Sequence, residues 1–278
     1  MSEEPATMNS QLTRGAAKRI ALVIAHPGHE LRLFAWLHAA RPIVHVLTNG
    51  SRSGHFSSRR SASHDLICAA GGELGGAWAG VADSVLYEWM MQGRVEPFDA
   101  LTSALTSALV AQRPALVVTD AWQSYNVAHD LTHLMARVAA AEASRVLARD
   151  ITVLDYMVAP QALAPTAPAG DVCIDYALTP AELEMKRARI AAYPDIALER
   201  CEIEQLEGEE GHGFERLRLP PPLEHFARRP IAKPPYELYG EARVREGKYA
   251  SVLRWDNIAR IVAHLIERYR AATSAAAA

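Results

Sequence analysis

Short apolar runs alternate with stretches of helical spacing along the first 160 residues, and this alternation constrains the fold more than any other feature. The run at 19–25 is rich in β-branched residues and ends at His26-Pro27-Gly28. Such a run is typical of a strand that is buried in a parallel sheet. Apolar residues then recur at helical spacing over 29–40, and a second apolar run follows at 43–48. We therefore predict one strand, helix and strand unit here.

The same alternation continues further along the chain. Helical patterns lie at 60–70, 98–112 and about 129–147, and strand patterns lie at 115–119 and 151–158. Strands that alternate with helices favour a mostly parallel sheet with helices on both faces. The sequence therefore predicts a doubly wound α/β fold.

The C-terminal part shows fewer clear elements. Thr179-Pro180-Ala181-Glu182 combines an N-cap, a first-turn proline and a capping-box glutamate, and so predicts a helix over 180–193. A proline-rich stretch at 219–235 predicts an extended surface segment, and the last helix is predicted at 255–270. No sharp boundary divides the chain. Residues 18–271 are therefore predicted to form a single domain between a flexible tail at 1–17 and a disordered tail at 272–278.

Composition argues against several kinds of partner. The formal net charge is −3 and no Lys/Arg cluster forms a phosphate-binding stripe, so no nucleic-acid partner is expected. The three cysteines lack Cys-x-x-Cys spacing, which fits a reducing compartment. No secretory signal is recognisable, and no segment approaches the ~20 apolar residues that span a bilayer. We expect a cytoplasmic protein with no membrane partner.

Histidines at the predicted strand ends are the main candidates for chemistry. His26 and His29 lie three residues apart where a strand meets a helix, and His129 begins a helix after a different strand. Three such imidazoles with one open position describe a catalytic zinc site. The alternative for His26 and His29 is capping or loop hydrogen bonding. His133, one turn beyond His129, is either a further ligand or a residue packed on the sheet.

Two segments resemble the signatures of a known family. Ala25-His26-Pro27-Gly28-His29-Glu30 is similar to the Ala-His-Pro-Asp-Asp-Glu motif of the PIG-L/LmbE-like deacetylases, and Tyr125-Asn126-Val127-Ala128-His129 resembles their His-Pro-Asp-His motif. The resemblance spans about residues 19–160. It implies a Rossmann-like fold and a cofactor, zinc or another divalent metal. It also implies removal of an N-acetyl group from an amino sugar.

The resemblance assigns the candidate metal ligands and exposes two departures. His26 and His129 match the family's histidine ligands, and His29 occupies the position of its aspartate ligand. Gly28 stands where the family has its general base, and Asn126 stands where it has an assisting histidine. Asp130 is our first candidate for a substitute base, although it could instead orient an imidazole or favour the helix dipole.

Three further residues are candidate substrate contacts. Arg59 could grip a phosphate or a sugar hydroxyl, and Asp83 falls where the family has an aspartate near the substrate. Asp120 follows a predicted strand and, like His26, is expected to face the crevice beyond the carboxyl ends of the sheet. A solvated arginine and a turn-capping aspartate are the alternatives for Arg59 and Asp83.

The sequence is compatible with two functions. The first is a zinc-dependent hydrolase that acts on the amide of an N-acylated amino sugar or a similar small metabolite, with Asn126 stabilising the oxyanion. The second is a sugar- or metabolite-binding member of the same superfamily that lost its base. Loss of a positioned general base typically costs a factor of ~10² to 10⁴ in rate, and this favours the second. Retention of three possible ligands favours the first.

Overall fold

Seven strands form one mixed sheet in the computed structural model, which describes residues 19–50, 56–165, 167–168, 170–193 and 196–274. The strands are β1 (Ile20–Ile24), β2 (Ile43–Thr48), β3 (Glu73–Val81), β4 (Leu116–Asp120), β5 (Thr152–Tyr156), β6 (Asp171–Ala177) and β7 (Phe214–Leu219). Their order in the sheet is β3-β2-β1-β4-β5-β7-β6. The first five are parallel, and β7 and β6 extend the sheet in antiparallel pairings.

Helices cover both faces of this sheet, which confirms the predicted α/β class. They are α1 (Phe34–Ala40), α2 (Phe56–Ala69), α3 (Asp83–Met91), α4 (Glu96–Gln112), α5 (Val127–Leu147), α6 (Pro180–Ala192), α7 (Ala197–Glu207), α8 (Pro235–Arg245) and α9 (Trp255–Ser274). Side chains of β1 alternate between the two faces, as the strand period of two requires. Ala21 and Val23 pack in the core under α4, α5 and α9, whereas Leu22 and Ile24 pack under α1, α2 and α6.

The strand order places a topological switch point between β1 and β4. From β1 the chain proceeds outward to β2 and β3, then returns to β4 on the other side of β1. Ligands of doubly wound sheets bind beyond the carboxyl ends of the strands at such a point. His26 follows β1 and Asp120 ends β4, so both lie at this edge.

The sequence patterns do not predict several of the strands and helices. β3 contains Gly75 and Gly76, which weaken its strand pattern. The structure explains Gly75, because a Cβ there would lie only 2.4 Å from Nδ1 of the buried His45. The sequence patterns also do not predict β6, β7, α3, α7 and α8. β7 contains three charged residues among six, and in β6 only two of the seven residues are half-buried while the other five are exposed, so neither strand carries a buried-strand pattern.

The two predicted tails, 1–17 and 272–278, lie wholly or partly outside the described residues. Residues 1–18, which include the predicted tail at 1–17, lie outside the described residues. The last helix continues through Ser274, so residues 272–274 are helical where the sequence predicted a tail, and 275–278 lie outside the described residues. All three cysteines are free, and no helix among the described residues is long and apolar enough to cross a membrane.

A buried ion pair connects the antiparallel edge of the sheet to the segment that follows β1. The Glu215 carboxylate of β7 accepts from Lys186 Nζ of α6 at 2.9 Å. It also accepts from the backbone N–H groups of Ala35 and Trp36, in the first turn of α1, at 3.0 and 2.8 Å. Lys186 in turn donates to the carbonyl oxygen of Arg32 at 3.0 Å.

Glu215→Gln is expected to lower the free energy of unfolding by about 3–5 kcal/mol, because it leaves the buried Lys186 ammonium without a counter-charge. Urea unfolding measures the change. Arg216→Gln is the matched control on the same strand, since Arg216 pairs with Asp175 at the exposed surface and its replacement should cost within about 0.5 kcal/mol. Equal losses in the two variants would contradict the importance of the buried pair.

Candidate metal centre

Three imidazoles converge at the switch point. His26 lies after β1, His29 begins a short 3₁₀ helix (His29–Leu33), and His129 lies in the first turn of α5. One ligand atom from each of the three lies within 4.8 Å of the others, and the ring centroids are 4.4 to 5.1 Å apart. All three side chains are buried. The structure therefore brings together the three histidines that the sequence proposed as ligands.

The hydrogen bonds of His26 determine which of its nitrogens is free. The Thr48 hydroxyl donates to the Ala25 carbonyl oxygen at 3.0 Å. That hydroxyl has a single proton, so at its other contact, 2.6 Å from His26 Nδ1, it must accept. His26 Nδ1 therefore carries the ring proton, and Nε2 keeps the lone pair that a metal needs.

A buried carboxylate orients His29 in the same way. His29 Nδ1 lies 2.9 Å from Asp120 Oδ2, so it donates its proton to that oxygen. The same Oδ2 accepts from the backbone N–H of Ala25 at 2.8 Å, and Oδ1 accepts from the Tyr156 hydroxyl at 3.0 Å. Carboxylate–histidine pairs of this kind set the tautomer and orientation of metal-binding imidazoles. Nε2 of His29 is consequently the nitrogen left for a metal.

His129 supplies the orphaned polar atom of the cluster. Its Nδ1 is buried and has no hydrogen-bond partner among the described residues, and a cation bound there would satisfy it. Burial, followed by the nearby His29 and His26, holds the pKa of His129 well below its usual range. Burial also lowers the pKa of His29, although Asp120 opposes this. Neutral imidazoles are the form that binds zinc, so the donor set fits the metal.

Asp83 lies behind His26, at the start of α3. Its Oδ1 is 3.4 Å from His26 Nδ1, and its backbone N–H donates to Asn49 Oδ1 at 3.2 Å. Burial alone would raise the pKa of Asp83, but the neighbouring His26 lowers it to about 2. Asp83 is therefore an anion beside a candidate metal ligand, where it adds negative charge next to the cluster.

Arg59 connects the two loops that follow β1 and β2. One of its terminal nitrogens donates to the Gly50 carbonyl oxygen and the other donates to the Pro27 carbonyl oxygen, both at 3.0 Å. Its Nε is buried without a hydrogen-bond partner among the described residues. Among these residues Arg59 thus orders the loop that contains the histidines, through backbone contacts that the sequence did not reveal.

Gly28 requires a backbone that other residues rarely adopt. Its φ is +104°, in the left-handed region that favours glycine. Its N–H donates to Glu30 Oε2 at 2.8 Å and to Ser63 Oγ at 3.1 Å. Ser63 also donates to Glu30 Oε1 and lies 2.6 Å from the Tyr193 hydroxyl. The buried Glu30 is thereby engaged in positioning the loop.

Asn126 and Asp130 belong to the start of α5. Asn126 is the N-cap, and its Oδ1 accepts from Ala128 N–H at 2.9 Å and from the Tyr87 hydroxyl at 3.1 Å. Asp130 is fully buried, and its Oδ1 accepts from the backbone N–H groups of Gln123 and Ser124 at 2.8 and 3.1 Å. Asp130 Oδ2 has no partner among the described residues, and burial raises the pKa of this carboxyl to about 7.

His133 packs on the sheet and does not join the cluster. Its Nδ1 donates to the Asp120 carbonyl oxygen at 2.9 Å, and its Nε2 lies 3.5 Å from an Arg137 terminal nitrogen. Burial, assisted by Arg137, lowers the pKa of His133 to about 3. The second of the two sequence interpretations, a residue packed on the sheet, is therefore the correct one.

The low pKa of His133 predicts a loss of stability in acid. The folded chain keeps this imidazole neutral, whereas in the unfolded chain it takes up a proton below about pH 6.5. Its contribution is complete above that pH and is lost as the pH falls toward 3, with a slope of at most about 1.4 kcal/mol per pH unit. Urea unfolding of chelator-treated protein at several pH values measures the slope. His133→Gln should reduce it and His64→Gln, at an exposed site, should not; an unchanged slope in His133→Gln would contradict this assignment.

A mostly parallel α/β sheet with three buried histidines at its switch point defines an α/β protein with a candidate metal centre. Two solved structures have a similar fold. One is a deacetylase triple mutant from the teicoplanin biosynthetic pathway, with a TM-score of 0.51 and 14% identity over 72% of this chain and 95% of that chain. The other is the A40926 pseudoaglycone deacetylase, with a TM-score of 0.50 and 14% identity over 73% and 96%.

These comparisons bear on the fold. The chain shares the fold of these two deacetylases, which agrees with the α/β fold that the resemblance of its two motifs implied. Neither family models nor curated sequences gave a match. A fold alone does not define an activity. The activity depends on the residues of the site.

Proposed function

We propose that this protein is a metal-dependent hydrolase that acts on the amide of an N-acylated amino sugar or a similar small metabolite. Zinc or another divalent metal would be held by His26, His29 and His129. The observation that supports this most directly is the convergence of these three buried imidazoles, two of which present a specific free nitrogen. A bound divalent metal would polarise the substrate carbonyl and lower the pKa of a water molecule.

The residues around the three proposed ligands would contact the substrate or position the ligands. Asn126 uses its oxygen as the cap of α5, which leaves its amide N–H groups to donate to the carbonyl oxygen of a substrate. We assign Asp120 to orienting His29 rather than to the substrate contact expected from sequence, because it is fully buried and both oxygens accept hydrogen bonds. Arg59 and Asp83 likewise position the loop and His26, and any contact they make with substrate is additional.

Hydrolysis also requires a group that accepts a proton from the attacking water. Gly28 cannot accept a proton, and Glu30 and Asp120 are already engaged in hydrogen bonds. Asp130 remains our candidate base because its Oδ2 is unpaired among the described residues and it directly follows a ligand. Asp130→Asn keeps the shape and the hydrogen bonds to Oδ1, and should reduce turnover by a factor of ~10² to 10⁴.

A second function is favoured by Gly28. A chain with an intact metal cluster and no general base could bind a sugar or metabolite without hydrolysing it. Metal analysis of the purified protein, combined with hydrolysis of a panel of N-acetylated amino sugars, separates the two. Bound metal with turnover supports the hydrolase, bound metal without turnover supports the binding function, and absence of metal binding contradicts both metal-dependent versions.

Restoring the family's aspartate at Gly28 is expected to cost stability. A Cβ there would meet Tyr193 at 3.4 Å and Arg59 at 3.5 Å, which are ordinary contacts, but φ of +104° is unfavourable for a side chain. Gly28→Asp and Gly28→Ala should both lower the free energy of unfolding by about 1–2 kcal/mol. Thermal or urea unfolding checks this, and Gly28→Asn separates charge from shape in the activity assay. Turnover that is confined to Gly28→Asp would assign the native protein to the binding function.

A further inference from the structure

A cleft lies at the opposite edge of the sheet from the three histidines. It has a volume of about 840 Å³ and is bounded by the C-terminal half of α5, the last turns of α9 and the segment that leads into β5. Because β5 runs parallel to β4, its first residues lie at the amino edge, whereas the candidate ligands lie beyond the carboxyl ends of β1 and β4. The described residues that line the cleft do not include any of the three histidines, so it is a separate candidate site.

Three arginines and one carboxylate line this cleft. Arg137, Arg145 and Arg149 contribute guanidinium groups, and Asp150 is the one acidic residue of the described lining, so the formal charge of the lining is +3 − 1 = +2. Arg137 and Arg145 both belong to α5, and the rise of a helix separates their backbones by about 12 Å along its axis. The positive charge is therefore distributed along the cleft and is not concentrated at one point.

Arg137 is buried without a carboxylate at ion-pair distance among the described residues. It is only 7% exposed, one of its terminal nitrogens donates to the Pro221 carbonyl oxygen at 2.7 Å, and its guanidinium lies 5.8 Å from the centre of the Tyr269 ring. Two carboxylates act on it from further away, Asp155 and Glu224, and each forms an ion pair with another arginine. A buried charge without its own counter-charge is unfavourable, and an anion in the cleft would supply one.

The other two arginines also lack carboxylate partners in the described part of the chain. A terminal nitrogen of Arg149 donates to the carbonyl oxygens of Arg113 and Pro114, and its buried Nε has no hydrogen-bond partner. Arg145 is exposed in the last turn of α5, where a cation is favourable beside the helix C-terminus. Backbone carbonyl groups do not neutralise a guanidinium group, so the cleft keeps its positive charge.

We propose that this cleft binds a small polyanion of the polyphosphate class, such as the phosphate chain of a nucleotide. Guanidinium groups suit bidentate binding of phosphate oxygens. Their spacing along α5 favours a ligand that carries its charges on several phosphate groups. Ala141, Ala148 and Val153 also line the cleft and give it an apolar wall for an attached organic group. This binding would be independent of the proposed hydrolase.

Inorganic tripolyphosphate is the probe, added to the chelator-treated full chain at constant ionic strength. It should raise the melting temperature in a saturable way, because it binds the folded chain. Orthophosphate should bind at least about tenfold more weakly, since it reaches only part of the distributed charge. ATP without magnesium distinguishes the two sources of a phosphate chain. Tighter binding of ATP than of tripolyphosphate supports a nucleotide, and equal or weaker binding supports a free polyphosphate.

Variants at the cleft locate the binding. Arg145→Gln, at an exposed side chain, should weaken tripolyphosphate binding roughly ten- to a hundredfold, as loss of a hydrogen bond to a charged group predicts. Ala141→Glu places a carboxylate among the arginines and should abolish binding, whereas Ala141→Gln has the same shape without the charge and should retain most of it. Arg216→Gln, an exposed arginine on β7, is a further control and should bind like the native chain.

Three results would each overturn the proposal. They are absence of saturation up to tens of millimolar tripolyphosphate, equal affinity for orthophosphate, and native affinity in both Arg145→Gln and Ala141→Glu. The readout needs no metal and no hydrolysis, so a failure of the hydrolase proposal would leave it unchanged.

Discussion

Replacement of His129 by alanine is expected to weaken zinc binding roughly a hundred- to a thousandfold. Zinc sites with four ligands typically have apparent binding free energies of about 10–16 kcal/mol, so each ligand accounts for about 2.5–4 kcal/mol. His129 is the ligand that comes from α5, whereas His26 and His29 share one loop. Its loss leaves two imidazoles, which cannot enclose the ion.

Competition with a chromophoric zinc chelator measures this affinity directly. His64→Ala is the matched control, because His64 is an exposed histidine on α2 outside the cluster. It should bind zinc as the native chain does. If His129→Ala retains native affinity, the metal is bound elsewhere and the hydrolase proposal fails. Removal of the metal from the native chain with a chelator should abolish any hydrolysis, and added zinc should restore it.

Replacement of Asp120 by asparagine is expected to weaken zinc binding about ten- to a hundredfold, even though Asp120 is not a ligand. Substitution of the partner that orients a metal-binding histidine typically has an effect of this size. The asparagine amide would place N–H groups where either the Ala25 N–H or the Tyr156 hydroxyl now donates to the carboxylate. We also expect a loss of about 2–4 kcal/mol in the free energy of unfolding, since buried donors are left unpaired.

A spectroscopic measurement distinguishes positioning from general destabilisation. In the native chain His29 is the Nδ1–H tautomer, and in Asp120→Asn the nitrogen chemical shifts of His29 should show a mixture with the Nε2–H form. Tyr156→Phe is the control, because it removes the hydroxyl that contacts Asp120 Oδ1 and the His29 carbonyl oxygen but leaves the hydrogen bond between His29 Nδ1 and Asp120 Oδ2 intact. It should cost about 1.5–3 kcal/mol, as expected for a hydrogen bond to a charged group, and change zinc affinity little. An unchanged His29 tautomer in Asp120→Asn would contradict the positioning role.

The parallel half of the fold could be predicted because its signals are local. The runs at 20–25 and 43–48 are mostly apolar, as expected of a strand with both faces buried, and the structure buries nearly all of their residues. The antiparallel edge could not be predicted in this way. Arg218 of β7 forms a buried ion pair with Asp155 at 2.8 Å, so a charged residue occupies a position that a sequence pattern assigns to the surface.

The sequence by itself determined the three candidate ligands and their placement at the carboxyl edge of the sheet, because His26 closely follows β1 and His129 lies at the start of the helix that follows β4. Only the tertiary structure determined which hydrogen bonds the residues around the candidate ligands form. Asp120 accepts a hydrogen bond from His29, and Arg59 donates hydrogen bonds to the backbone of two loops. These contacts join residues that are distant in sequence. No spacing along the chain encodes such contacts, since they depend on how the loops pack against the folded sheet.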